Sequence, residues 1–185
     1  MNPKIKLSKG KLLVSAPFLN DVFKRSVILL TEHNEEGSVG FIINKPTGYK
    51  LHEIIEDFPE FDSTVFLGGP VQQDSLNFIH KAKDILDGGI EISEGLFWGG
   101  NFETLKILIE SGSLNPEDFK FFLGYSGWSP DQLSNELSAN SWYLNQPSIN
   151  NIFCEDASKL WSDILKSMGK EYSIISTFPE DPSVN

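Results

Sequence analysis

Three histidines, one cysteine and one arginine are the scarcest chemistry-bearing residues in this sequence, and their spacing argues against several reactions. His33, His52 and His80 fall in separate segments with no His-Glu-x-x-His arrangement, and Cys154 has no Cys-x-x-Cys partner, so no metal centre is expected. Isolated histidines more often satisfy a strand-end carbonyl. Gly68-Gly69-Pro70 is not followed by Gly-Lys-Ser/Thr, and Gly127-Trp128-Ser129 lacks the Gly-x-Ser-x-Gly elbow, so neither a phosphate cradle nor a serine nucleophile is encoded. Cys154 precedes a helical segment, where a thiol can be acidified, but it reads better as a small buried hydrophobe.

Two polar groupings remain. Asp21 and Arg25 are close enough for a turn to pair them, and Asn44-Lys45-Pro46 sets an amide and a cation at a strand end, where they could hold an anion. The plainer reading has Asp21 capping a turn, Arg25 pairing with a surface acid, Asn44 satisfying backbone groups and Lys45 solvated. Tyr125 and Trp128 could stack a flat ligand, or each could bury roughly 150–250 Å² in a core. The candidate ligand-binding set is therefore Asn44, Lys45, Gly69, Tyr125, Trp128 and Gln132, with no catalytic residue and no cofactor assigned.

The elements that must position these residues centre on Leu123-Gly124-Tyr125-Ser126-Gly127-Trp128-Ser129-Pro130-Asp131-Gln132-Leu133. An apolar strand, Phe119 to Leu123, is expected to stop on Gly124. Gly127 is expected to need positive φ or a close backbone approach, which would make Gly127→Val costly. Ser129, Pro130 and Gln132 then read as the N-cap, first position and capping-box partner of a helix.

Elsewhere, residues 11–16, 27–31, 39–43, 65–67, 77–80, 142–144 and 172–175 read as strands, and Asn34 to Gly37 as a hairpin turn. The unbroken run Val27-Ile-Leu-Leu30 implies burial on both sheet faces. Helices are expected over 51–58, from Asn101 to Gly112, and over 155–168, where Leu160, Trp161, Ile164, Leu165 and Met168 share one face and Gly169 ends the helix. The segment 90–98 fits strand or loop. Strand pairs interrupted by single helices favour an α+β fold over a doubly wound parallel sheet.

A hydrophobic content of 39% with 12% aromatics suits a folded chain, whereas 15 basic against 26 acidic side chains, a net charge of −11, opposes a phosphate backbone. Generic nucleic acid is not an expected partner. Lys4, Lys6, Lys9 and Lys11 form the only basic cluster and read as a solvated leading segment. The start of the chain lacks the pattern of a secretory signal and no run of residues is long and apolar enough to span a membrane, so a cytoplasmic protein without a membrane partner is expected.

The run Gly124-Tyr-Ser-Gly-Trp-Ser-Pro-Asp-Gln-Leu-x-x-Glu-Leu137 resembles the signature of the bacterial YqgE/AlgH family. Similar blocks are Gly10 to Pro17, Asp21-x-Phe-x-Arg-Ser-Val27, Gly40 to Pro46 and Gly68 to Val71, and together they cover most of residues 10–170. Ser126 stands where the family often has alanine, and Ser129-Pro130-Asp131 where a glycine-rich turn is common; neither departure removes the aromatic pair. The resemblance implies a bent, antiparallel-rich sheet rolled into a pseudo-barrel with flanking helices. One domain is expected over residues 1–178, and the tail over 179–185, rich in proline and acid with little to bury, is expected to be flexible. The functional expectation is a non-enzymatic binding or regulatory module acting through a protein partner or small ligand. The alternatives are a small-anion-binding protein or enzyme, and the transcriptional regulator of the family's label, which the charge opposes.

Overall fold

The structure, a computed structural model, describes residues 5–82, 85–154 and 156–180. Its strands are β1 (Leu12–Ser15), β2 (Val27–Asn34), β3 (Gly37–Ile42), β4 (Pro46–Lys50), β5 (Thr64–Leu67), β6 (Val71–His80), β7 (Ile90–Ser93), β8 (Leu96–Trp98), β9 (Phe119–Trp128) and β10 (Trp142–Asn145). The helices are α1 (Leu51–Ile54), α2 (Phe102–Glu110), α3 (Gln132–Ser138), α4 (Ile149–Ile152), α5 (Leu160–Ser167) and α6 (Lys170–Ile175). The strands join in the order β10-β1-β2-β3-β9-β6-β8-β7, with β4 and β5 attached off this path. All pairings are antiparallel except β5 with β9. The class is α+β, as expected. The sheet is not closed into a barrel: its end strands β10 and β7 do not pair with each other.

Both faces of β1, of the first half of β2 and of the end of β3 are covered, which is why Leu12 to Val14, Val27 to Leu30 and Phe41 to Ile43 run apolar without alternation. Leu12, Val14, Leu29 and Phe41 face α5, whereas Leu13, Ile28, Leu30 and Ile42 pack with Trp128, Leu133 and Trp142 beside α3. A further core lies under α2, where Leu105 and Ile109 meet Val65, Phe78, Phe119 and Phe121. Asn101 caps α2 as its sequence predicts, accepting the Thr104 amide at 2.9 Å.

The central strand β9 does not stop on glycine. Along one edge it pairs with β6; along the other it pairs with β5 through Phe121 to Leu123 and then with β3 through Ser126 to Trp128. Gly124, at φ 68°, makes that handover possible. A Cβ there would lie 2.7 Å from the carbonyl oxygens of both Gly69 and Val71. Gly127 has no positive φ, and a Cβ on it would meet only the Tyr125 ring edge, at 3.3 Å. The backbone constraint therefore lies at Gly124. Gly124→Ala is expected to lose roughly 1–3 kcal/mol or more in denaturant melts, and Gly127→Ala about 1 kcal/mol or less. Equal losses would overturn this assignment.

Residues 172–175 form part of helix α6 and not a strand. The alternation Tyr172-Ser173-Ile174 looks extended, but Gly169 at φ 120° turns the chain, and the Ser173 amide closes a helical turn on the Gly169 carbonyl at 2.9 Å. Tyr172 and Ile175, one turn apart, then face the core, while Ile174 is 63% exposed. The helix expected over 51–58 is confined to α1, although Ile55 and Phe58 still pack on the α2 core. The expected 155–168 helix begins instead with a 3₁₀ turn, Ala157–Lys159, before α5. Segment 90–98 resolves into the β7–β8 hairpin. Lys9 of the basic segment donates to the Glu91 carbonyl at 2.9 Å. Lys4 and most of the expected flexible tail, residues 181–185, lie outside the described residues.

Candidate functional site

Strand β9 carries one charge into its apolar run, and that charge marks the site. Phe119 and Phe121 point to the α2 core, so the alternation of a strand turns Lys120 and Phe122 to the opposite face, toward α4 and α5. Lys120 is 3% exposed. Its Nζ donates to the carbonyls of Ile152 (3.1 Å) and Cys154 (3.4 Å), at and just past the end of α4, where helix-end carbonyls lack partners. The same nitrogen lies 3.9 Å from the centre of the Phe66 ring. Among the described residues no carboxylate lies within ion-pair distance of it. Burial pulls the ammonium down to about 7, opposed in part by the Cys154 side chain.

A cavity of about 250 Å³ opens beside this amine, with Lys50, Asp62, Thr64, Glu117, Phe153 and Cys154 on its walls. Lys50 and Asp62 form an ion pair at 2.7 Å, which holds the Asp62 carboxyl below its ordinary range. Lys50 also reaches the Thr64 hydroxyl at 3.4 Å. Cys154 is part-exposed and not buried as its sequence context predicts; its thiol donates to the Asp156 carbonyl at 3.1 Å. The cavity thus combines a low-pKa amine, a half-exposed cation, carboxylates and a thiol. No sequence motif announces it. The one signal is a lysine inside Phe119-Lys-Phe-Phe-Leu123, because a charge in a strand covered on both faces must find acceptors within the protein.

Of the six residues selected from sequence, Tyr125 and Trp128 line one shallow cavity, which Asn44, Lys45, Gly69 and Gln132 do not join. Asn44 Oδ1 accepts the Val27 amide at 2.8 Å and its Nδ2 donates to the Arg25 carbonyl at 2.9 Å, tying the 21–27 turn to the end of β3. Lys45 is half-buried and not solvated: it donates to the Val22 carbonyl, and burial lowers its pKa against the pull of Asp21. Asp21 accepts the Phe23 amide at 2.8 Å, whereas Arg25 turns to the Phe178 carbonyl and lies 3.6 Å from Glu180, so Asp21 and Arg25 do not pair.

Gly69 lies so close to Tyr125 that a Cβ would meet its backbone at 2.2 Å. Trp128 and Trp142 donate to the same Glu136 oxygen, at 2.9 and 2.7 Å, and Gln132 donates to the other at 2.9 Å. Gln132 Oε1 in turn accepts the Ser129 amide at 3.0 Å, half of the expected capping box, although α3 starts at Gln132 behind Asp131 at φ 62°. Trp128, Gln132 and Glu136 of the signature are therefore an architectural unit. His80 is also structural, stacked between Phe97 and Phe119 with Nε2 2.9 Å from the Gly99 carbonyl.

The fold and site together define an α+β protein with an open, mostly antiparallel sheet and, among the described residues, a buried lysine beside a small cavity. Known proteins share this architecture. The AlgH-like family model, DUF179, matches residues 12–173, and the chain belongs to that family. A UPF0301 protein from Cytophaga hutchinsonii is 44% identical over 97% of this chain and 100% of its own length. A UPF0301 protein from Chlorobium limicola is 45% identical over 97% of each chain. The solution structure of the AlgH protein from Pseudomonas aeruginosa superposes with a TM-score of 0.74 at 28% identity, covering 97% of this chain and 98% of that one. A crystal structure of a Corynebacterium diphtheriae protein superposes at 0.78 with 22% identity, covering 95% of each chain, a likeness of fold.

Proposed function

We propose that this protein is a cytoplasmic, non-enzymatic binding or regulatory module whose ligand, a small polar metabolite, occupies the cavity beside Lys120. The observation that carries this reading is a lysine buried at a cavity wall with no carboxylate partner among the described residues. Burying such a group is costly, and groups held in this way concentrate at functional sites. A volume of about 250 Å³ falls below the roughly 300–1,000 Å³ of drug-sized pockets, which favours a ligand of a few carbons. Net charge of −11 weighs against the alternative of a transcriptional regulator acting directly on DNA.

The test is thermal unfolding in the presence of short 2-hydroxy and 2-oxo carboxylates. A ligand at about a hundred times its Kd is expected to raise the Tm of the parent by roughly 5–10 °C and leave Lys120→Met unmoved. Absence of any shift, or equal shifts in parent and variant, would overturn the assignment of the site.

A further inference from the structure

We propose that Lys120 is a nucleophilic amine that holds short aldehydes or 2-oxo acids covalently, as an imine, in the cavity it lines. This rests on the ligand-binding reading of the same cavity and names the ligand's reactive group. The geometry supplies what imine chemistry needs. Strand β9 is paired along both edges at this level, with Ile79 opposite Lys120 on β6 and Val65 opposite Phe121 on β5, so the lysine's backbone is fixed. A neutral amine has two N–H bonds, and the carbonyls of Ile152 and Cys154 stand at 3.1 and 3.4 Å to accept them. A carbonyl carbon would be attacked from the remaining side of the nitrogen, where Lys120 lines the cavity. The Phe66 ring, 3.9 Å away, keeps water from one side of the nitrogen.

Burial supports the same conclusion: an amine brought down to about 7 is half neutral at neutral pH, whereas an ordinary lysine near ~10.4 is less than about 0.1% neutral there.

The step balances without an external oxidant or reductant. The lone pair of Nζ forms a bond to the carbonyl carbon and the C=O π pair moves to oxygen, which takes a proton from nitrogen to give a carbinolamine. The hydroxyl then takes a second proton and leaves as water while nitrogen and carbon form the C=N bond, so both amine hydrogens end in that water. Glu117 and Cys154 line the cavity and can relay the second proton. Lys50, half-exposed on the same wall, provides a cation for the ligand's carboxylate.

The experiment treats the full-length protein with glyoxylate and cyanoborohydride at neutral pH, digests it and maps the reduced adduct by mass. Glycolate, which has no carbonyl to attack, is the matched control for binding. Labelling at Lys120 is expected to exceed that at every other lysine by about tenfold or more, in keeping with its larger neutral fraction. Lys120→Arg, which keeps a cation and donors but no nucleophilic amine, is expected to lose the dominant adduct. Labelling spread over surface lysines, with Lys120 no higher than the rest, would overturn the proposal. If glycolate and glyoxylate raise the Tm equally and no adduct forms at Lys120, the binding site stands and the covalent step falls. If neither ligand shifts the Tm and Lys120 is unlabelled, both fall. Mapping on the parent decides the matter even where the variant folds poorly.

Discussion

Trp161→Ala is expected to lower unfolding free energy by roughly 3–5 kcal/mol, the range for removing a buried aromatic from a core. Trp161 is 2% exposed and shares the inner face of α5 with Leu160, Ile164 and Leu165. Its Nε1 donates to the Ser15 carbonyl at 2.9 Å, at the end of β1, so truncation removes a helix-to-sheet hydrogen bond as well as contact area. The Arg25 guanidinium lies 4.9 Å above the ring and loses that support too. Ile174→Ala, at a side chain 63% exposed on the neighbouring helix, is the control and should stay within about 0.5 kcal/mol. A denaturant midpoint for Trp161→Ala no lower than that of the control would show that α5 does not anchor the sheet.

That prediction was accessible from sequence because residues 160, 161, 164, 165 and 168 fall on one helical face whatever the helix packs against. The Ser15 partner was not accessible, since it lies 146 residues away. The same division runs through the molecule. The stretches Leu12 to Val14, Val27 to Leu30 and Phe41 to Ile43 announce themselves as continuous apolar runs because both of their faces are covered. Gly124 misleads for a physical reason: a glycine inside a strand can mark a close backbone approach as well as an end, and here it admits the carbonyls of Gly69 and Val71. The segment 172–175 misleads because three residues of alternation also fit a helix presenting Tyr172 and Ile175 to one side.

The site was the least legible part. Gln132 and Glu136 stand one turn apart on α3 and Trp128 ends β9 just before it, but their polar atoms satisfy one another and not a ligand. Lys120 belongs to no motif, and its acceptors come from residues 32 and 34 positions away. A constellation assembled by tertiary contacts leaves only its oddest member visible in the sequence, here a lysine among phenylalanines.

Lys120→Met is expected to change how stability depends on pH, and the sign follows from the direction of the lysine's shift. In the folded protein its proton is lost near about 7, whereas in the unfolded chain a lysine keeps its proton to about 10.4. Between those values the unfolded state holds the extra proton, so unfolding takes one up and is opposed by rising pH. The parent therefore gains about 1.4 kcal/mol per pH unit from this residue across the window. Below pH 7 the cost of burying the charge is at its full value and no longer changes with pH; above about 10.4 it is absent. Methionine carries no such cost, so relative to the parent the variant should be most favourable at and below neutral pH and lose roughly 3–4 kcal/mol of that advantage by pH 10. The forfeited bonds to the Ile152 and Cys154 carbonyls offset part of the gain at every pH, by about 0.5–1.5 kcal/mol each. Lys50, Asp62, Glu117 and Cys154 surround the same cavity. Parent and variant are therefore compared in a Cys154→Ser background, so that no thiol contributes to the slope, while Lys45 and Tyr143, shifted elsewhere in the fold, cancel between the two curves. Denaturant melts at half-unit pH steps decide the outcome. Curves that run parallel from pH 7 to 10 would mean that Lys120 keeps its proton in the folded protein, and an ammonium has no lone pair with which to attack a carbonyl.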